Sequence, residues 1–488
     1  MAPQDATMFW LSARTRNDLF LLYSFADAGV PTDALRTTVA ARSARIPDLR
    51  VRLRETPADL AYPSWVPGEF SADQFVEHRS PDWAAVQTAL GDLLATGVDA
   101  RIHPWRLHVF RGVAGAPMRA SDAELATVVV LQMSHALADG KRAAAIAREL
   151  FSEGGVGAGD AGSDGQSGFR VGRAQAVDVT SDSGGAHPAL DTVGRMVARL
   201  WRSGLAAAVS GAVLLPAGVA RTAVRGYGAF RAQAELSRLT EAGEVPPPVP
   251  GFAPSAVNKV GPRGIIEHRA RMIVCSAEEL RVPGRTVTVV VLTAVSVALA
   301  EYVAAHGEPV DRLGAQVPMA LTEQSNGLVH NNYRSLGIDL FVDEPDLRAR
   351  ADRIAATLAD RRLRARHPLL SAQDRVTAVT PAPILRRDVD RYPIDAVPDS
   401  IAGHTVVSSV YRGPADLSFG GGPVRCTGGF PALGAVMHLT HGVHGLGDTV
   451  TVSIHADAAV VPDVDEYANL LRAALRAVAA TLAADTER

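Results

Sequence analysis

Residues 125–140 read LATVVVLQMSHALADG. Four consecutive β-branched residues, Thr127 to Val130, sit inside an apolar run without the alternation of a half-exposed strand, so the run reads as a strand buried on both faces. His135 then falls just beyond the strand. Gly140 is a residue that can leave a tight turn, and KRAAAIARELF (141–151) supplies a helix directly after it. A strand-to-helix turn of this kind can hold a side chain rigidly over a cleft. An imidazole near its ordinary pKa takes a proton from an alcohol or amine at neutral pH. No serine or cysteine nucleophile is needed if the acceptor substrate itself attacks an acyl thioester. Asp139 has two readings: it orients the imidazole, or it locks the turn by pairing with an arginine. The second fits a structural Asp-Gly turn better. Taken alone, H-x-x-x-D-G is a short pattern, and a surface turn with a satisfied histidine explains it more economically.

The 488 residues exceed the usual size of one hydrophobic core, which predicts two lobes. Apolar residues make up 47% and aromatics only 5%, so the packing rests on small and branched side chains. The 49 basic and 52 acidic residues are intermixed, leaving a net charge of −3 and no basic field for a nucleic-acid backbone. Nucleic acid is therefore not an expected partner. Cys275 and Cys426 are too few for a disulfide framework or a cysteine-rich metal site, which suits a reducing cytoplasm. MAPQDATMFW has neither the basic nor the apolar region of a secretory signal.

TDALRTTVAARSA (32–44) has a helical pattern, and DLRVRLRE (48–55) and WRLHVFRG (105–112) read as strands. Residues 152–185, rich in Gly, Asp and Ser, read as a mobile surface segment. From Pro188 to about Leu239 the pattern is helical, and between Arg202 and Arg221 it carries no charge. That length admits a membrane span, but the Ala, Gly and Ser content and Pro216 favour a broken, packed or interfacial helical pair. EVPPPVPGFAPS (244–255) reads as a semi-rigid linker between lobes. Beyond it, RARMIVCS, LGAQVPMAL, SLGIDLFV, HTVVSSVY and DTVTVSIHAD read as strands. Residues 286–307 read as a buried helix, and residues 343–366 and 464–483 as amphipathic helices. The expected fold class is α/β, with two lobes spanning residues 1–185 and 251–488 and a connector at 186–250.

Collinear motifs extend this reading. MSHALADG (133–140) resembles the H-H-x-x-x-D-G motif of the bacterial wax ester synthase/diacylglycerol acyltransferase family, within the superfamily of CoA-dependent acyltransferases and condensation domains. HPWRLHVF keeps Trp105, Leu107 and His108 of that family's P-L-W-E-L-H strand. VNKVGPRG supplies its Asn, Gly and Arg as Asn258, Gly261 and Arg263. VVSSVYRGP (406–414) is similar to its V-V-S-N-V-P-G-P segment, and residues 448–475 to its closing strand and helix. The resemblance implies two chloramphenicol-acetyltransferase-like lobes, each a mixed sheet flanked by helices, with a tunnel between them. Acyl-CoA would enter from one mouth and a hydrophobic alcohol or diacylglycerol from the other. His135 would be the general base and Asp139 a structural residue, with no metal and no cofactor beyond the acyl-CoA substrate. Departures are Ser134 for the first histidine, Thr288-Val289 for an Asn-Asp pair, Thr322 for an arginine and Ser409 for an asparagine. They leave room for a natural-product hydroxyl or amine as acceptor, or for a catalytically weak lipid-binding homologue.

Asn258, Arg263, Ser408 and Ser409 are the candidate substrate contacts: Arg263 for a CoA phosphate or, equally, as a structural arginine at a strand entry, and Ser408, Ser409 or a nearby backbone N–H by position as oxyanion donors. HLTHGVHG (438–445) spaces His438, His441 and His444 by three, and reads as a loop lining the tunnel rather than a metal site. HNNYRS (330–335) reads as a loop, GGG (420–422) as a flexible turn, and DRRLRAR (360–366) as a solvated basic face. The small-residue helical stretch hints at contact with a membrane or lipid-droplet surface.

Overall fold

The structure is a computed structural model, and it describes residues 1–152, 204–259, 266–307, 310–321, 329–394 and 396–484. The Gly/Ser-rich segment read as mobile lies outside them beyond Ser152, as do Arg263 and Thr322. The first lobe contributes β1 (Leu19–Ala26), β2 (Val51–Arg54), β3 (Ser64–Pro67), β4 (Phe75–His78), β5 (Trp105–Val113) and β6 (Ala126–Met133). The second contributes β7 (His268–Ser276), β8 (Gly314–Ala320), β9 (Tyr333–Asp339) and β10 (Thr405–Tyr411). It continues with β11 (Ser418–Phe419), β12 (Gly422–Gly429), β13 (Leu439–Leu446) and β14 (Thr449–Asp457).

The strands form two six-stranded mixed sheets, ordered β11-β12-β1-β6-β5-β4 and β7-β14-β13-β10-β8-β9, and a small β2-β3 hairpin. The apolar run ATVVVLQM is β6, buried at every position between β1 and β5. One face of the first sheet packs the helices Thr32–Ser43 and Gly140–Phe151 through Leu35, Val39, Ile146 and Leu150. The other face packs Trp83–Leu94, which also lies against β7 of the second sheet. Gly91 makes that sharing possible: a Cβ there would stand 2.6 Å from the His268 carbonyl oxygen. The second sheet is covered by the helices Val287–His306, Leu347–Ala365 and Val464–Ala483 around one continuous core.

The lobes are not two consecutive stretches of chain, as a boundary at residue 251 implies. β11 and β12 leave the second lobe and complete the first sheet, with β12 antiparallel to β1 from Leu21↔Gly429 to Phe25↔Val424. GGG belongs to the tight hairpin that makes this crossing. Gly420 and Gly421 have φ of 59° and 77°, the left-handed values a two-residue primed turn requires. The Pro-rich linker is anchored by Phe252, which bridges to Ile401 and lies under the Arg312 guanidinium, 4.8 Å from the ring centre.

The described part of the helical connector is one unbroken helix, Leu205–Glu241, and not a pair broken at Pro216. Pro216 and Ala212, one turn before it, are both exposed, so the carbonyl freed by the missing N–H can bond to water. The helix is docked on the body along a seam of small residues. A Cβ on Gly211 would meet the Leu60 carbonyl, and one on Gly218 would come within 2.8 Å of Pro381. Thr222 Oγ1 donates to the Val379 carbonyl at 3.2 Å.

Candidate functional site

His135 stands where β6 has ended and the helix Gly140–Phe151 has not begun. The Ser134 amide donates to the Pro104 carbonyl at 2.8 Å, and the Leu137 amide to the Ser134 carbonyl at 2.9 Å, which sets the turn. The Ser134 hydroxyl is buried and accepts from the Ala136 amide at 3.4 Å. Asp139 is the N-cap: its Oδ1 accepts from the Arg142 amide at 2.9 Å. The turn is therefore locked by a backbone N–H and not by the guanidinium that the sequence suggested; the Arg142 guanidinium binds Asp48 instead. Gly140 is the first helical residue, outside the left-handed region, and a Cβ there would make only an ordinary 3.7 Å contact with Val410. The tight backbone expected of it is not present, because the N-cap already redirects the chain.

Two elements far away in sequence close over this turn. The loop before β9 donates the Asn331 side-chain N–H to the His135 carbonyl at 2.7 Å, and the His330 carbonyl accepts from the Asp139 amide at 3.1 Å. That loop is held by Asp5 in the N-terminal helix Pro3–Ser12. The carboxylate accepts from the His330 amide, and from the amide and side chain of Asn331, at 2.9 to 3.2 Å. The Tyr333 ring lies beside the imidazole, centroids 6.2 Å apart. β10 passes on the other side, where Val410 faces Gly140.

Burial pushes the His135 imidazole below its ordinary 6.5, which favours the neutral form. Nδ1 is buried and, among the described residues, has no hydrogen-bond partner. The histidine's own backbone and the Asn331 side chain favour the charged form, and burial outweighs both. Burial pushes Asp5 up to about 6, against the opposing pull of the N–H groups that it accepts from.

The structure brings the Ser134–Gly140 turn of the first lobe against β10 of the second, in a seam at Gly140 and Val410. Ser408 and Ser409 are partly buried on β10. Ser409 Oγ accepts from Thr288 Oγ1 at 3.0 Å, so two positions that depart from the wax ester synthase motifs bond to each other. Asn258 is not part of this seam. Its side chain donates to the carbonyls of His404 and Val436 at 3.1 and 2.6 Å and accepts from Ser255, which leaves it no role as a substrate contact. His404 precedes β10, so Asn258 is about 20 Å of strand away from Val410.

The tunnel-loop reading of HLTHGVHG is also overturned. These residues lead into and form β13, a buried interior strand between β10 and β14. His438 Nδ1 bonds Asp457 Oδ2 at 3.0 Å, and His441 is held between Thr405 and the Tyr467 hydroxyl. His444 lies at the seam beside Gly429 and the buried Arg412. His108 is buried as well, between His78 Nε2 at 2.9 Å and Gln132 Oε1 at 3.0 Å, and Gln132 in turn donates to Asp18. Sequence reasoning missed Asp5, Asn331 and Tyr333; the only signal was the polar HNNYRS, which was read as a loop and runs directly into β9.

Residues 330–479 match the family model described as the WS/DGAT C-terminal domain, beginning at the loop that covers His135. No curated protein sequence matches the chain. Among solved structures, it is similar to the wax ester synthase/diacylglycerol acyltransferase from Marinobacter aquaeolei VT8, with 16% identity, a TM-score of 0.56 and full coverage of both chains. The first condensation domain of the calcium-dependent antibiotic synthetase, with a substrate analogue, gives 15% identity and a TM-score of 0.54 over 97% of this chain and 93% of that one. A variant of the starter condensation domain of rhizomide synthetase, in complex with C8-CoA and Leu-SNAC, gives 12% and 0.52 over 99% and 94%. At such identities these likenesses carry the fold, which is the chloramphenicol-acetyltransferase-like pair of lobes. The chain thus carries a match to the WS/DGAT C-terminal domain at residues 330–479, and its fold is similar to that of a wax ester synthase/diacylglycerol acyltransferase.

Proposed function

We propose that this protein is an acyltransferase that moves a fatty acyl group from acyl-CoA to a hydrophobic alcohol or diacylglycerol, with His135 as the general base. The observation that carries the reading is the imidazole at the lobe seam, which burial holds toward its neutral form on a turn fixed by Asp139 and Asn331. The names of the structural neighbours support the class of reaction and the C8-CoA complex supports the donor. The imidazole takes the hydroxyl proton as the acceptor oxygen bonds to the thioester carbonyl carbon. The tetrahedral intermediate then collapses, the C–S bond breaks, and the thiolate leaves with the proton from the imidazolium. General-base catalysis of this kind contributes roughly 10²–10⁴-fold. Asp139 caps the helix behind the histidine, and Asn331 holds its carbonyl, so both fix the turn. Ser408 on β10 is the candidate donor to the oxyanion; the Ser409 hydroxyl is already engaged with Thr288.

Purified protein supplied with long-chain acyl-CoA and a panel of fatty alcohols, diacylglycerol and amines should yield an acyl ester, detected by mass spectrometry. An amide product alone would move the assignment to natural-product acylation. Acyl-CoA binding with no acyl product from any acceptor would replace the enzyme with a lipid-binding homologue.

A further inference from the structure

The helix Leu205–Glu241 is held to the body on one side and is bare on the other. At helical spacing from its docked seam, Val213, Val224, Tyr227 and Phe230 point outward, with 73%, 72%, 66% and 71% of their surface exposed. By contrast, the other long apolar helix, Val287–His306, is mostly interior, with 67% of its most apolar window buried against 6% here. An apolar stripe of this length facing water is not explained by the fold itself.

Along the stripe, the charge of the helix itself has one sign. Between residues 205 and 234 the helix carries Arg221, Arg225 and Arg231 and no Asp or Glu. Arg221 and Arg225 lie on one flank of the stripe. They line a groove of about 550 Å³ with Arg375 from the neighbouring helix Ser371–Thr377, and its other walls are mainly Val224, Val379, Ala220 and Ala372. All three arginines are exposed, and none is paired with a described carboxylate. Apolar side chains along one line with guanidinium groups along its edge match the boundary between acyl chains and anionic headgroups, where arginine stems lie on apolar surface and the charged ends reach phosphate.

We propose that this face is a docking surface for an anionic lipid surface, with the stripe inserted at the level of the acyl chains and Arg221, Arg225 and Arg375 binding headgroup phosphates. The helix lies in the plane of the interface, because its opposite side stays fixed to Leu60 and Pro381. This surface stands independently of the acyl-transfer reading.

The test is sedimentation of the full chain with vesicles of phosphatidylcholine alone and of phosphatidylcholine with phosphatidylglycerol. Binding should require the anionic lipid and weaken with salt. Phe230→Glu and Val224→Glu should each reduce it by roughly tenfold, and Arg221→Gln, Arg225→Gln and Arg375→Gln by about fivefold each. These positions are exposed, so thermal unfolding should be unchanged and report that the fold is intact. Equal binding to both vesicle types, or binding indifferent to all five substitutions, would overturn the proposal. So would a concentration-dependent dimer dispersed by Phe230→Glu, which would assign the stripe to a second copy.

Discussion

Asp5 reaches His135 through a single side chain, Asn331, which donates to the Asp5 carboxylate and to the His135 carbonyl. Removing the carboxylate strands the His330 and Asn331 donors in a buried place, and each such loss costs about 1–3 kcal/mol. Asp5→Ala should therefore lower stability by about 2–4 kcal/mol in urea unfolding. Turnover should fall with it as the loop lets go of the His135 turn. Asp5→Asn keeps one acceptor oxygen and should cost less; an Asp5→Ala variant as stable and as active as the parent would detach Asp5 from the site. None of this was legible in the sequence, because Asp5 and His330 are 325 residues apart and nothing local to either marks the pairing. His135 and Asp139 were legible because a strand end, an N-cap and a helix start are all encoded within sixteen residues. The error there concerned the partner of Asp139, expected to be an arginine: an N-cap bonds backbone, and Arg142, three residues on, binds Asp48.

Glycines separate the two long-range contacts made by helices. At Gly91 a methyl group would enter the His268 carbonyl of β7, a backbone atom that cannot swing aside. Gly91→Ala should thus cost about 1–3 kcal/mol from overpacking, partly offset by about 1 kcal/mol of helix propensity. Gly226, in the middle of the exposed helix, has no atom within 4 Å of its would-be Cβ, so Gly226→Ala should gain up to about 1 kcal/mol. Thermal unfolding of the two variants should move in opposite directions, and a shift of the same sign would contradict this view of the helix Trp83–Leu94 as the shared layer between sheets. Periodicity revealed β6, β7, β14 and the closing helix, where branched apolar side chains dominate. It failed at β13, whose glycines and histidines have low strand preference locally and are accommodated by burial between β10 and β14. Pro216 misled for a related reason: its missing hydrogen bond is cheap on a face open to water.

Across the whole molecule, buried histidines set the response to acid. Burial pushes His108, His330, His404 and His441 down to about 4 and His455 to about 3. A depressed histidine contributes stability above its unfolded value near 6.5, and that contribution is lost as pH falls toward the folded value, each group being worth on the order of 3 kcal/mol. Asp5 and Asp18, both raised to about 6 by burial, act in the opposite sense: their contribution is greatest below about pH 4 and is lost as pH rises through 6. Five groups outweigh two, so the urea midpoint should fall steadily from pH 6.5 toward 4; a flat or rising midpoint would show that these histidines are protonated in the folded state. The two-lobed plan itself was legible from length and from the two α/β stretches. The crossing of β11 and β12 into the first sheet was not, because pairing Leu21 with Gly429 is a long-range choice that no local pattern records. That crossing, with the 330–331 loop, joins the two lobes around His135. The most direct measurement is single-turnover release of free CoA from acyl-CoA in the presence of a fatty alcohol, comparing the parent with His135→Ala at neutral pH and equal thermal stability. The expected result is loss of release by about 10² or more in the variant; release at the parental rate would remove His135 from the chemistry.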